Sequence, residues 1–340
     1  MYENVVTDHP RARQRKGRHR AFLIIGAAAI AVIAVVAASF SADVRRAEKR
    51  LSGRSEVIQT GVGKLEYGVV GAGHPFLMIH GTGGGFDQGL TFSEGLLGHG
   101  FRIIAPSRFG YLRSDFPADP SSERQEDAFV ELLDRLHIDR VPIAGGSAGA
   151  LSAVQFALRY PERTAALILL VPAANLRNGD PVEMTPVQQF LVRRLTTSNF
   201  LFWTALKTSR DQMIGTLLAT DPGLVKRASP KDRRRVDRIL DQIMPVGQRW
   251  RGMLNDAKLT GSPATVDLAK ITVPTLVISV EDDRFGTAAT AKDISAAVPR
   301  SKLVIYPQGG HVWVGHDDDV WDEVAKFVAA QGRIEQPSRR

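Results

Sequence analysis

The chain alternates short apolar runs with longer stretches whose apolar positions recur at helical spacing. Apolar runs of about four to eight residues bounded by Gly, Pro and polar residues predict strands, and the amphipathic stretches predict helices. Strands that alternate with helices are typical of βαβ units, and therefore of a mostly parallel sheet. The pattern predicts strands at residues 56–60, 64–70, 76–80, 101–105, 141–144, 165–171, 275–280 and 303–306. It predicts helices around residues 121–136, 148–159, 288–297 and 320–330.

The regular alternation stops between about residues 173 and 263. That stretch has helix-like periodicity, interrupted by Pro, Gly and charged residues, and contains no clear strand. We therefore predict a helical cap at 173–263, inserted between two parts of a core at 55–172 and 264–331. A C-terminal tail at 332–340 completes the chain.

Residues 21–40, AFLIIGAAAIAVIAVVAASF, contain no charged side chain. This is about the length that an α-helix needs to cross roughly 30 Å of hydrocarbon. We expect an uncleaved membrane anchor, because the run is longer than the apolar region of about 7 to 15 residues in a signal peptide. A cleaved signal peptide that leaves a secreted protein is the alternative.

Basic segments lie on both sides of this apolar run, a tail at 1–20 and a linker at 41–54. The tail has the denser positive charge next to the run, so the positive-inside rule predicts a cytoplasmic N-terminus and a large extracytoplasmic domain. The two segments hold 11 of the 44 Lys and Arg residues and 4 of the 36 Asp and Glu residues. The rest of the chain is therefore nearly neutral, and the net charge of +8 does not indicate a nucleic-acid partner.

The chain has no Cys, which excludes thiol catalysis, thiolate metal sites and disulfides. Neither H-E-x-x-H nor the G-K-[ST] of a phosphate loop occurs, and the glycines after the third predicted strand lack the last Gly of a dinucleotide fingerprint. We therefore expect catalysis without a cofactor or a metal.

The most informative motif is GGSAG at 145–149, between a predicted strand and a predicted helix. It matches the G-x-S-x-G nucleophile elbow, in which small neighbours permit a strained turn that exposes the Ser hydroxyl. A Ser nucleophile needs a base and an acid that orients the base, because its hydroxyl is nearly un-ionised at neutral pH. His311 follows the last predicted strand, and Asp282 and Asp283 follow the strand before it, which gives the order Ser, acid, His.

With these motifs, residues 55 to 331 resemble the α/β-hydrolase superfamily, and in particular its esterases and meta-cleavage-product hydrolases. The resemblance depends on HGTGG at 80–84, GGSAG at 145–149, VEDDRF at 280–285 and GGH at 309–311. It implies an α/β-hydrolase fold with a mostly parallel eight-stranded sheet flanked by helices, a helical cap and, in this chain, an N-terminal transmembrane helix.

Carried over by position, the resemblance implies that Ser147 is the nucleophile, His311 the general base and Asp283 the acid, with Asp282 as the alternate acid. It also implies an oxyanion hole formed by the backbone N–H of Ala148 with that of Thr82 or Gly83. His80 is expected to be structural, and His316 a solvated residue at a helix start. The chain departs from the family pattern at three places: Ser107 replaces Asp, Val280 replaces Gly, and Gly286-Thr287 replaces a frequent Pro.

These features predict a membrane-anchored serine hydrolase that cleaves carboxylic esters or related acyl substrates through an acyl-enzyme. The same residues also fit acyl transfer or cleavage of an activated carbon–carbon bond, and a non-catalytic binding module on this scaffold is a third alternative. The expected partners are a small acyl substrate and the membrane, through residues 21–40. In the cap, Phe202 and Trp203 are candidates to line an acyl pocket, although packing the cap onto the sheet is the role that such residues more often have.

Overall fold

The computed structural model describes residues 10–172, 193–261 and 266–332. The start of the predicted cap (173–192), residues 262–263 at its end, the first nine residues and the tail from 333 lie outside the described residues. The chain divides into two compact units, residues 1–46 and 47–340.

The described part of the first unit belongs to a long helix, α1 (Pro10–Leu51). Large apolar side chains from Phe22 to Val35 are exposed on this helix. From Phe22 to Leu51 it is long and apolar enough to cross a membrane, a property that a signal sequence near an N-terminus shares. Exposed apolar side chains on every face of a helix are stable in lipid rather than in water.

The second unit contains one sheet of eight strands in the order β1-β2-β4-β3-β5-β6-β7-β8. β1 pairs with β2, and β2 with β4, in antiparallel fashion, and the other neighbours are parallel. The predicted mostly parallel eight-stranded sheet is therefore confirmed. The strands are β1 (Glu56–Thr60), β2 (Gly63–Val70), β3 (His74–Ile79), β4 (Phe101–Pro106), β5 (Val141–Gly146), β6 (Thr164–Leu170), β7 (Thr275–Val280) and β8 (Ser301–Tyr306).

Helices cover both faces of this sheet, which explains why the central strands β5, β6 and β7 are buried along their whole length. The covering helices are α2 (Phe86–Phe92), α3 (Ser122–Arg135), α4 (Gly149–Arg159), α10 (Thr287–Ala297) and α11 (Asp317–Ala329). Side chains of α3, α4 and α10 share one apolar cluster with alternate residues of the strands.

Between β6 and β7 the described residues form helices and contain no strand, and these helices lie within the segment predicted as a cap. These helices are α5 (Asn199–Thr208), α6 (Arg210–Leu217), α7 (Pro222–Arg227), α8 (Pro230–Asp241) and α9 (Trp250–Gly261). Three of them begin after a Ser or Asp whose side chain accepts a hydrogen bond from the first turn: Ser198, Asp221 and Ser229.

The parallel strands all end at the same edge of the sheet. His80 follows β3, Ser147 follows β5, Asp283 lies three residues after β7, and His311 follows β8. The carboxyl ends of parallel strands are where open α/β sheets form their sites, so the topology gathers residues that are far apart in sequence.

Candidate active site

Ser147 lies in the turn between β5 and α4, with φ = 51° in the left-handed region that side chains rarely adopt. Its backbone N–H donates to Leu170 O at 2.9 Å, which fixes the turn against β6. A Cβ at Gly145 would lie 2.5 Å from Gly149 O, and a Cβ at Gly149 would lie 2.5 Å from His80 O. The glycines of the motif are therefore required by close approach of the backbone. Ser147 itself is partly exposed.

His311 and Asp283 form a buried pair: His311 Nδ1 lies 2.8 Å from Asp283 Oδ2. The other oxygen, Oδ1, accepts the Phe285 N–H at 2.9 Å, and the Thr287 hydroxyl donates to Oδ2. Burial alone would raise the pKa of the Asp283 carboxyl, but the hydrogen bond and charge of His311, with the Thr287 and Phe285 donors, hold the pKa below its ordinary value. Asp283 is thus ionised and can orient the imidazole.

Asp282, the alternate acid, is exposed, and its Oδ1 accepts the Gly310 N–H at 2.7 Å. It orients the loop that carries His311 rather than the imidazole. His316 lies at the start of α11, where its ring stacks on Tyr306 and its Nδ1 is 3.3 Å from Asp319 Oδ2. The geometry therefore favours Asp283 as the acid and agrees with a structural position for His316.

His80 is fully buried, and both of its ring nitrogens form hydrogen bonds with backbone groups. Its Nε2 accepts the Arg108 N–H at 2.9 Å, so the proton is on Nδ1, which donates to Gly81 O at 2.7 Å. Burial, followed by the charge of Arg108, lowers the pKa of His80 well below its ordinary value. This neutral His fixes the loop after β3 and does not face the Ser147 hydroxyl as a base.

The oxyanion candidates differ in what their N–H groups bind. Gly83 N–H donates to Tyr111 Oη at 3.2 Å, so this donor is already engaged. Within the described chain no acceptor is found for Thr82 N–H or for Ala148 N–H. Of the two alternatives in the loop after β3, the geometry therefore favours Thr82, and the Ala148 N–H, directly after Ser147, is the candidate for the second donor.

A cavity of about 600 Å³ joins these groups, since Ser147, Thr82 and His311 all line it. In the described part of the chain no hydrogen bond links Ser147 Oγ to the His311 ring. Such catalytic hydrogen bonds are often long in unliganded enzymes and shorten when a substrate binds.

Of the two roles considered for Phe202 and Trp203, the described residues agree with packing rather than with lining this cavity. Neither side chain lines the cavity; both are buried in α5, where Trp203 stacks on Phe200 with centroids 6.0 Å apart. Aromatic side chains in an apolar helix bury wherever the helix meets its neighbours, and the sequence alone does not give that face. The apolar wall comes from other elements and includes Phe92, Leu218, Ile239, Ile243, Met253 and Phe285. Its polar side chains include Gln88, Thr216, Thr287 and Thr290.

Two buried ion pairs that the sequence analysis did not identify connect the segment between β6 and β7 to the core, one at the loop after β4 and one at α2. Arg108 binds both oxygens of Asp256 in α9 at 2.6 Å, and Tyr111 donates to the same carboxylate at 2.5 Å while accepting from Gly83. Arg249, directly before α9, binds Asp87 at 2.9 Å and donates to Gly84 O. No sequence motif pairs these residues, because more than 140 positions separate the partners.

Comparison with known proteins agrees with this architecture. The family model described as alpha/beta hydrolase fold matches residues 74–314, more than half of the chain. This chain belongs to the α/β-hydrolase fold family. Among the described residues of this α/β-hydrolase, no group of three or more His, Asp or Glu side chains could hold a metal ion.

Individual relatives are similar over most of the chain. An uncharacterized hydrolase, YcgS of Bacillus subtilis, is 26% identical over 277 residues, covering 78% of this chain and 94% of its own length. The 2-hydroxy-6-oxononadienedioate/2-hydroxy-6-oxononatrienedioate hydrolase 2 of Pseudomonas putida is 28% identical over 260 residues, covering 73% and 85%. The esterase EaEST of Exiguobacterium antarcticum has the same fold, with a TM-score of 0.61 at 22% identity, covering 81% of this chain and 97% of that one. The hydrolases among the sequence relatives of this α/β-hydrolase support an enzymatic role.

Proposed function

We propose that the protein is a serine hydrolase that cleaves carboxylic esters through an acyl-enzyme. The observation that carries this proposal is the 2.8 Å contact between His311 Nδ1 and Asp283 Oδ2 on the wall of the cavity that exposes Ser147. A neutral imidazole held in this way by a carboxylate has its proton on Nδ1. Its Nε2 is then free to accept the proton of a Ser hydroxyl.

In the proposed reaction, Ser147 Oγ attacks the carbonyl carbon of the ester while His311 Nε2 takes the hydroxyl proton. The N–H groups of Thr82 and Ala148 stabilise the negative charge on the tetrahedral oxygen. One donor of this kind lowers the activation barrier by about 2.7 to 4 kcal/mol in serine proteases. The tetrahedral species collapses as His311 returns the proton to the leaving alcohol. Water, activated by the same imidazole, then hydrolyses the acyl-enzyme ester, which releases the carboxylic acid and regenerates Ser147.

The lining of the cavity favours a substrate with a neutral acyl group. Among the described residues that line it, none is Lys, Arg, Asp or Glu, and the wall is mainly apolar. An apolar wall stabilises an alkyl or aryl acyl chain by burying it from water. The Thr216 and Thr290 hydroxyls and Gln88 offer hydrogen bonds to a polar group on such a chain.

Cleavage of a carbon–carbon bond is the second candidate, and the Pseudomonas putida relative favours it because its name describes a hydrolase of a dienedioate. Such a substrate carries two carboxylates, for which the described cavity wall provides no cationic partner. Rates on p-nitrophenyl butyrate and on a 2-hydroxy-6-oxo-dienedioate separate the two functions. A higher kcat/KM on the dienedioate would reject the ester proposal.

Membrane attachment is also part of the proposal, with residues 21–40 as an uncleaved anchor, a cytoplasmic N-terminus and an extracytoplasmic hydrolase. The length and exposed apolar surface of α1 support it. A reporter that is active only in the cytoplasm, fused after Gly53, should be inactive. The mass of the membrane-extracted protein should include the first 40 residues, whereas a cleaved signal peptide would shorten it.

Fluorophosphonate labelling tests the serine mechanism directly. The wild type should be labelled at Ser147 and hydrolyse p-nitrophenyl butyrate, and Ser147→Ala should do neither while keeping the melting temperature of the wild type. Ser152→Ala, which removes a buried hydroxyl of α4 below the elbow, is the matched control and should still be labelled. Hydrolysis by Ser147→Ala at the wild-type rate would reject the assignment.

A further inference from the structure

The segment Gly286-Thr287 brings a hydroxyl to the Asp283 carboxylate. Gly286 has φ = 70°, and Thr287 is the first residue of α10. The Thr287 hydroxyl donates to Asp283 Oδ2 and lies 2.9 Å from the hydroxyl of Ser279 in β7. Thr287 and Ser279 expose 1% and 0% of their surface, so water does not compete for these hydrogen bonds.

The direction of each hydrogen bond follows from the proton count. An ionised carboxylate has no proton, so Asp283 accepts and Thr287 donates. The single hydroxyl proton of Thr287 is then used, and Ser279 must be the donor in the contact between the two hydroxyls. The result is a buried chain in which Ser279 donates to Thr287, and Thr287 and His311 both donate to Oδ2 of Asp283.

We propose that Thr287 is a positioning residue that acts through Asp283 on His311. Its hydroxyl holds Oδ2 in the place where it meets His311 Nδ1, and it neutralises part of the carboxylate charge that His311 experiences. This inference depends on the proposed function, because it assigns a role within the same triad. It goes beyond that function by assigning a role to Thr287, which the proposed mechanism does not use.

Loss of this hydroxyl has a specific consequence for the pH dependence. The Thr287 donor is one of the groups that hold the pKa of Asp283 down. Without it, the carboxylate is more basic and stabilises the imidazolium form of His311 more strongly. Reaction requires the neutral imidazole, so the acid limb of the rate profile moves to higher pH. A purely structural role for Thr287 would lower stability or rate without moving this limb.

The other charged groups around the pair bind elsewhere and remain in the variant. Asp282 accepts from Gly310 N–H, and Arg284 pairs with Asp221 at 3.2 Å. Arg235 of α8 donates to Val312 O next to His311 and pairs with Asp317 at 2.8 Å. Glu281 is paired with Lys292. A shift of the acid limb in a Thr287 variant therefore reports on the hydroxyl contact itself.

The test compares Thr287→Val, which keeps the shape and removes the hydroxyl, with Thr287→Ser, which keeps the hydroxyl. Ser295→Ala removes a hydroxyl from the same helix that contacts Ser301 instead of Asp283, and serves as the control. The full-length protein is assayed between pH 5 and 9 by its rate of fluorophosphonate labelling and by kcat/KM on p-nitrophenyl butyrate. We expect Thr287→Val to be about ten-fold slower, since a hydrogen bond to a charged group is lost. Its acid limb should move up by about half a pH unit, whereas Thr287→Ser and Ser295→Ala should stay within about two-fold of the wild type.

Ser279→Ala gives a second measurement, because it weakens the donor chain without changing Thr287. It should lower the rate and move the acid limb to higher pH, each by a smaller amount than Thr287→Val. If Thr287→Val does not fold, Ser279→Ala alone tests the proposal. The proposal is overturned if Thr287→Val keeps the wild-type acid limb, or if Thr287→Ser is as slow as Thr287→Val. A wild type that is neither labelled nor active would overturn the proposed function as well, whereas an active wild type with an insensitive Thr287→Val refutes this inference alone.

Discussion

Replacing Asp283 by Asn should nearly abolish catalysis while leaving the fold intact. In the wild type, Oδ2 accepts from both His311 Nδ1 and the Thr287 hydroxyl, and Oδ1 accepts from Phe285 N–H. An Asn side chain offers one oxygen and one NH₂ group in place of the two accepting oxygens. Its NH₂ group must therefore face a group that donates in the wild type, either Phe285 N–H or the His311 and Thr287 donors. If the NH₂ group faces His311, the imidazole must bind it through an unprotonated Nδ1. The proton then lies on Nε2, which can no longer accept from Ser147.

The size of the effect follows from this change of tautomer. The equivalent substitution in a serine protease lowers kcat about 10⁴-fold, and we expect a loss of about 10³ to 10⁴-fold here. A 10⁴-fold loss equals roughly 5.4 kcal/mol in the activation barrier, more than a single hydrogen bond supplies. Single-turnover acylation of Ser147 by p-nitrophenyl butyrate, monitored by the release of p-nitrophenol, measures the step in which His311 accepts the proton.

Asp282→Asn is the matched control, since it makes the same chemical change one residue away. Asp282 is exposed and accepts one backbone N–H, which an Asn oxygen can also accept. Its acylation rate should stay within about three-fold of the wild type. The reasoning is refuted if Asp283→Asn keeps more than a tenth of the wild-type rate, or if Asp282→Asn has the larger loss.

Three further predictions concern the surroundings of the site. Asp256→Asn leaves Arg108 buried without its counter-charge, so the free energy of unfolding should fall by about 3 kcal/mol or more. The melting temperature should fall by at least about 6 °C, against less than about 2 °C for the exposed Lys258→Gln on the same helix; equal shifts would contradict the prediction. Burial raises the pKa of Glu126 well above its ordinary value, so the folded state keeps this carboxyl protonated and loses stability as pH rises above about 4.3, where the unfolded carboxyl ionises. Glu126→Gln should therefore raise the melting temperature at pH 8 and change it little at pH 4; an equal change at both would count against this sign. Gly149→Ala places a Cβ 2.5 Å from His80 O and should reduce fluorophosphonate labelling at least ten-fold, whereas wild-type labelling would show that the elbow tolerates the methyl group.

The fold and the chemistry differ in how far the sequence predicts them. Alternating apolar runs predicted the eight strands, because a strand buried on both faces leaves a continuous apolar pattern. Ser147 and His311 were predicted from motifs next to predicted strand ends, and the parallel topology explains why they line one cavity. Their catalytic roles, with that of Asp283, stay predictions until the serine is labelled.

The hydrogen bonds around the site could not be predicted from the sequence, because their partners are distant along the chain. Whether Gly83 N–H is free depends on Tyr111, which lies 28 positions later, and Tyr111 is held by Asp256 of the cap. The sequence left two roles open for Phe202, because the direction in which a helix faces depends on the elements around it. Such partners are set by tertiary packing, which leaves no local period or motif in the chain.

The Arg108–Asp256 pair limits how this enzyme can be re-engineered or diversified. Exchanging the cap for that of another family member, to give a chimera with a different substrate range, would separate a guanidinium in the sheet region from its carboxylate in α9. Unless the donor cap has an acid at the same place, the chimera would bury an isolated cation next to the loop that carries Thr82. Changing Arg108 together with the cap avoids this cost, so a library of cap chimeras should vary both halves of the pair.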